Sequence, residues 1–170
     1  MITVRTIGQG FIKLLPLIFL YFLSLNSFTI TKTIPHIEIF SFNVQIIIIY
    51  FYVLRFPEYL GFGHVFLIGI LKDVLMGTPL GATAVNYLVL CVVATYIRNV
   101  TLRSKLTTEW FMFIPALFFS NFAYFAIINN FSNLAFYYEE LLRITFFTFL
   151  FFPVLYPILN SHRKLYKVED

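Results

Sequence analysis

Apolar residues in this chain are gathered into six blocks separated by short polar or turn-forming stretches. They run roughly Phe11–Ile30, Ile39–Leu54, Tyr59–Met76, Ala82–Ile97, Trp110–Phe131 and Leu142–Leu159. A helix needs about 20 apolar residues to cross the hydrocarbon of a bilayer. Inside lipid every backbone N–H and C=O must find a partner within the protein, which a helix supplies locally. Charged residues make up 12% of the chain and hydrophobic ones 60%, whereas a soluble domain carries about 25% charged. Twenty-three Phe and eleven Tyr exceed what one small aqueous core can hide. The sequence therefore predicts an all-α integral membrane protein, a single polytopic domain over 1–170 with six transmembrane helices.

The second block is the weakest of the six, being short and containing Ser41, Asn43 and Gln45. A re-entrant or tilted segment there would leave five spans. Six is preferred because Pro35, Pro57, Pro79 and the charged run Arg98–Glu109 all fall between blocks. Arg5 and Lys13, ahead of an apolar run, resemble a secretory leader, but no small-x-small cleavage site follows and five more apolar blocks do, so the helix is expected to be retained.

With six spans both termini share a side. That side collects Arg5, Lys13, Arg55, Arg98, Arg103, Lys105, Arg163, Lys164 and Lys167, against Lys32, Lys72 and Arg143 opposite. A nine-to-three bias places both termini in the cytoplasm. The net charge of +4 belongs to this pattern and not to nucleic-acid binding. Trp110 and Tyr137–Tyr138, at block ends, read as headgroup anchors. Cys91, alone in an apolar block, offers neither a disulfide nor a metal site, and no cofactor is expected.

The segment "GILKDVLMGTPLGA", residues 69–82, sets Lys72 beside Asp73 inside a block and follows them with a bend. On a helix Gly69, Asp73 and Gly77 share a face, which Gly61 and Val65 extend. Small residues at that spacing let another helix approach closely, either within the chain or from a docking partner. The stem of Lys72 is long enough to carry its ammonium to the headgroups. Asp73 is too short for that and must pair, face water or be protonated. Arg143, level with it at the start of the sixth block, is the expected ion-pair partner; Lys72 and backbone N–H groups near the Gly77 bend are the alternatives. Thr78-Pro79-Leu80-Gly81, with Pro at the second position and Gly at the fourth, reads as a type I turn closing a tight hairpin.

These residues resemble the rod shape-determining protein MreD family. The likeness lies in Arg55-x-Pro57-Glu58 followed by Gly61, then Gly69-x-x-x-Asp73-x-x-x-Gly77-x-Pro79-x-Gly81, with Arg98 ending the next helix. Outside residues 55–98 it is carried by hydropathy and length. Lys72 departs from the apolar residue usual before that Asp. The resemblance implies a non-enzymatic component of the bacterial inner membrane that supports cell-wall elongation. Partners would be an MreC-like bitopic protein and possibly MreB, RodA and a class B penicillin-binding transpeptidase. It also implies a bundle similar to the substrate-binding S components of vitamin transporters.

Three functions compete. A membrane scaffold that docks partner helices fits the short loops and the small-residue stripe, with the basic loop Arg98, Arg103 and Lys105 facing anionic lipid or a cytoplasmic partner. A small-molecule carrier, the alternative, needs a polar cavity, for which Asn26, Asn43, Gln45, Asn86, Asn121, Asn129 and Asn130 are available. Intramembrane amides more often bond helix to helix. An intramembrane enzyme fits poorly: His36, His64 and His162 sit at separate block ends, and Glu139 and Glu140 point about 100° apart on a helix. Pro153 and Pro157 are expected to kink the sixth helix. Phe146–Phe152 reads as lipid-facing bulk.

Overall fold

The structure, a computed structural model, describes residues 17–25, 43–57, 60–101, 105–131 and 138–167. Among them are six helices and no strands: α1 (17–25), α2 (Val44–Arg55), α3 (Phe62–Met76), α4 (Ala82–Val100), α5 (Leu106–Phe131) and α6 (Tyr138–Lys167). Each overlaps one predicted apolar block. Three, over Ala82–Val100, Leu106–Asn130 and Glu139–Ser161, are long and apolar enough to cross a membrane.

The short second block becomes the centre of the bundle. Nine successive residues of α2, Gln45 to Val53, are buried. A helix apolar all round belongs in a protein core or in lipid, and α2 takes the core, packing against α4 and α6. Its 12 residues rise only about 18 Å, so its ends fall inside the protein and need partners there. Asn43 caps the start, its side chain accepting from the Ile46 N–H, while its own N–H donates to Thr148 Oγ1 of α6 at 2.9 Å. At the other end Arg98 Nη1 of α4 donates to the Val53 carbonyl at 3.1 Å. The basic residue expected to face lipid thus also caps a buried helix.

Aromatic rings fill the layer around α2. Tyr50, Phe113 and Phe152, on three helices, are fully buried with ring centroids 4.6 to 5.7 Å apart. Phe152 corrects the reading of 146–152 as lipid-facing bulk. Phe146 and Leu150 do face outward, but Phe149 and Phe151 pack on the core.

Helix α6 runs through both Pro153 and Pro157, and α5 through Pro115. Proline has no N–H, so Pro153 leaves the Phe149 carbonyl without its usual donor four residues on. Trp110 supplies one: its Nε1 donates to that carbonyl at 3.0 Å, and its ring stacks on Phe149 at 5.1 Å. Besides lying at a block end, Trp110 therefore ties α5 to α6. Trp110→Phe should keep the stacking, orphan one carbonyl and cost about 1 kcal/mol, read as a fall of about 2–4 °C in melting temperature. An unchanged melt would show that the indole N–H is immaterial.

Candidate functional site

The predicted stripe on α3 is real, but it faces inward. Val65, Ile68, Gly69 and Asp73 are buried, whereas Gly61 and Gly77 at the helix ends are exposed. At Gly69 the α4 backbone comes so close that a Cβ would lie 2.3 Å from Ala84 Cα and 2.7 Å from its nitrogen. The small residue is used for close approach, and the helix admitted is α4 of the same chain. A partner helix cannot occupy that line, which corrects the docking role expected for Val65, Gly69 and Asp73.

The bend is a different turn from the one expected. Gly77, at φ +68°, ψ 24°, terminates α3 in the left-handed region. Ala82 N–H donates to the Pro79 carbonyl at 3.1 Å, so the hydrogen-bonded turn is Pro79-Leu80-Gly81-Ala82, one residue later than predicted. Gly81, at φ +97°, ψ −13°, sits at its third position, where type II geometry requires a positive φ. The lack of a Cβ at Gly81 explains the shift: only glycine enters this conformation cheaply.

That turn delivers the N-terminus of α4 to Asp73. The first turn of α4 contains no acidic residue, and its N-cap is a glycine with no side chain to bond the open N–H groups. Asp73 does so from the neighbouring helix. Its Oδ2 accepts from Gly81 N–H at 2.9 Å; Thr83 N–H donates to Oδ1 and Oδ2 at 3.0 and 3.2 Å. Thr78 Oγ1 donates to Oδ1 at 2.9 Å. The carboxylate is wholly buried, and the positive end of the α4 dipole favours its charge. The third alternative raised by the sequence, backbone N–H groups near the bend, is therefore the one adopted.

Arg143 is not the partner. It stands exposed on α6 and makes no ion pair with Asp73. Arg143→Ala should leave the unfolding free energy within about 0.5 kcal/mol of wild type, as for other exposed changes. A loss comparable to that of an Asp73 variant would restore the pairing.

Lys72 also departs from expectation. Its ammonium turns inward instead of reaching the headgroups, donating to Gln45 Oε1 at 2.7 Å and Tyr87 Oη at 3.0 Å. Tyr87 in turn donates to Gln45 Oε1 at 2.7 Å, and Gln45 Nε2 donates to Ser24 Oγ at 2.6 Å. This relay links α1, α2, α3 and α4.

A cavity of about 390 Å³ opens beside it, lined by α2 to α6. Three of the scattered amides meet there: Asn43, Asn86 and Asn121. Gln45 belongs to the relay, Asn129 and Asn130 are exposed, and Asn26 lies outside the described residues.

The opposite end of the bundle holds a second polar cluster. Arg55 Nη2 lies 2.6 Å from Glu109 Oε1 and donates to Tyr156 Oη at 2.6 Å, joining α2, α5 and α6. Glu109 is almost completely buried, and the Tyr50 hydroxyl donates to its backbone carbonyl at 3.1 Å. The sequence pointed to Arg55 but missed Glu109, whose one signal is its position as the acid in the first turn of α5. Pro57 and Lys105 are exposed; Glu58 and Arg103 lie outside the described residues. No group of three or more His, Cys, Asp or Glu that could hold a metal occurs among the described residues. No family model, curated protein or solved structure matches this chain.

Proposed function

We propose that this protein is a non-enzymatic scaffold of the bacterial inner membrane, with six spans and both termini cytoplasmic. On this reading it serves a cell-wall elongation complex by docking the transmembrane helix of an MreC-like partner. The choice of that complex rests on the sequence resemblance over 55–98 alone. The observation that carries a structural role is the use made of the interior charges. Asp73 caps α4, Arg98 caps α2, and Arg55 with Glu109 binds α2 to α5. Charges are costly in a membrane and usually mark function; here their function is holding short helices together.

Because α4 occupies the Gly69 line, docking falls to the outward face of α3. Phe66, Leu67 and Val74 are exposed there, together with Gly63, which has open space where a Cβ would be. Those positions recur at helical spacing and form one stripe.

Single cysteines at Leu67, Val74 and Ile68, in a Cys91→Ser background, test this in cells co-expressing the MreC-like protein. Crosslinks should form from Leu67 and Val74 and not from buried Ile68. Depletion of the protein should turn rod-shaped cells round. Cells that stay rod-shaped would remove the elongation role, and absence of crosslinks from both exposed positions would remove this docking face.

A further inference from the structure

Lys72 is the one interior charge described above that no helix end or counter-ion consumes. An ammonium has three N–H donors, and two are taken by the neutral oxygens of Gln45 and Tyr87. Among the described residues no carboxylate lies within ion-pair distance of it. The neighbouring Asp73 directs its carboxylate at α4. Lys72 is half-buried and lines the 390 Å³ cavity, where a partly desolvated charge gains from compensation.

A second group on that cavity is also incomplete. Asn86 is 5% exposed, and among the described residues its Oδ1 finds no hydrogen-bond donor. The volume falls within the range of about 300–1,000 Å³ typical of small-molecule sites. Leu117 and Ile144 give the wall an apolar portion, and Glu140, exposed on α6, shares the lining.

We propose that this cavity binds a hydroxyl-bearing phosphodiester, a single negative charge flanked by O–H donors, with Lys72 as its counter-ion. The phosphate takes the free ammonium N–H. A hydroxyl of the ligand donates to Asn86 Oδ1, which an anion alone could not satisfy. Glu140 accepts from another hydroxyl and disfavours a second negative charge, so a diester is preferred to a dianionic monoester. The apolar wall admits the start of an acyl chain. This chemistry occurs both in a lipid headgroup and in a free glycerophosphodiester. The inference is independent of the scaffold reading, since it rests on the cavity and not on the outer face of α3.

Purified protein in neutral detergent is titrated with two probes, glycerophosphoglycerol and 1-palmitoyl lysophosphatidylglycerol, with monopalmitoylglycerol as the uncharged control. At least one phosphodiester should bind saturably. Lys72→Met should raise its dissociation constant by about tenfold or more, the effect of losing a charged hydrogen bond. Without probe, Lys72→Met should melt somewhat below wild type, because the bonds to Gln45 and Tyr87 are lost, so affinity is the deciding readout. Binding of the free diester identifies a soluble ligand, and binding of the lysolipid alone identifies a headgroup. No binding by either probe overturns the proposal. So does equal affinity in Lys72→Met, or an unliganded melt lowered with affinity unchanged, which would make Lys72 a structural tie. Should Lys72→Met fail to fold, Lys72→Gln provides the same comparison.

Discussion

Asp73→Ala should destabilise the protein by about 3–5 kcal/mol, the largest effect expected of any single polar substitution described here. The reason is the number of donors it strands. The N–H groups of Gly81 and Thr83 and the hydroxyl of Thr78 all end on this carboxylate. A buried donor without its acceptor costs about 1–3 kcal/mol, and the loss of a helix cap alone costs about 0.5–2 kcal/mol. Asp73→Asn should fall between alanine and wild type, because one oxygen still accepts while the amide N–H₂ opposes a backbone donor. Thermal unfolding in detergent measures both, and protease should cut the 77–81 turn more readily in the alanine variant. An Asp73→Ala protein that melts like wild type would show that water replaces the carboxylate without cost.

Gly69→Ala should cost about 1–3 kcal/mol or more, although alanine is the better helix former. The added methyl would sit 2.3 Å from Ala84 Cα, a backbone atom that no rotamer change can move. The two helices would have to part, yet the turn at 77–81 and the bonds from Asp73 hold them. Ala84→Gly should therefore fail to rescue Gly69→Ala, since the contacts at 2.3 and 2.7 Å are with Cα and N. Gly69→Leu should give no folded protein. The Asp73 and Gly69 changes should also be non-additive, because both loosen the same α3–α4 contact. A wild-type melt for Gly69→Ala would mean that the helices stand farther apart than described.

Both effects were half legible in the residues. The spacing of Gly69, Asp73 and Gly77 marked one helix face, and the shortness of the Asp side chain demanded a partner. Neither observation says what lies opposite. Arg143 was a reasonable partner by topology and proved to be on an exposed face of α6, because depth along the membrane does not fix rotation about a helix axis. Lys72 misled for a related reason. Its stem could reach the headgroups, and only the positions of Gln45 and Tyr87 turned it inward.

The blocks and their breakers by themselves determined that the chain is helical and which stretch each helix occupies, because backbone inside lipid must pair locally, but not the helix ends: α5 starts four residues before the expected Trp110 and α6 runs eight past the expected Leu159. Tertiary structure alone decided which helix is central, which carbonyls and N–H groups fall open inside the bundle, and which side chain closes each one. Trp110 meeting the carbonyl freed by Pro153, Arg98 closing α2 and Asp73 closing α4 all join residues on different helices. Hydropathy is a property of single segments, whereas such a bond depends on the relative rotation and height of two segments, which no single segment contains.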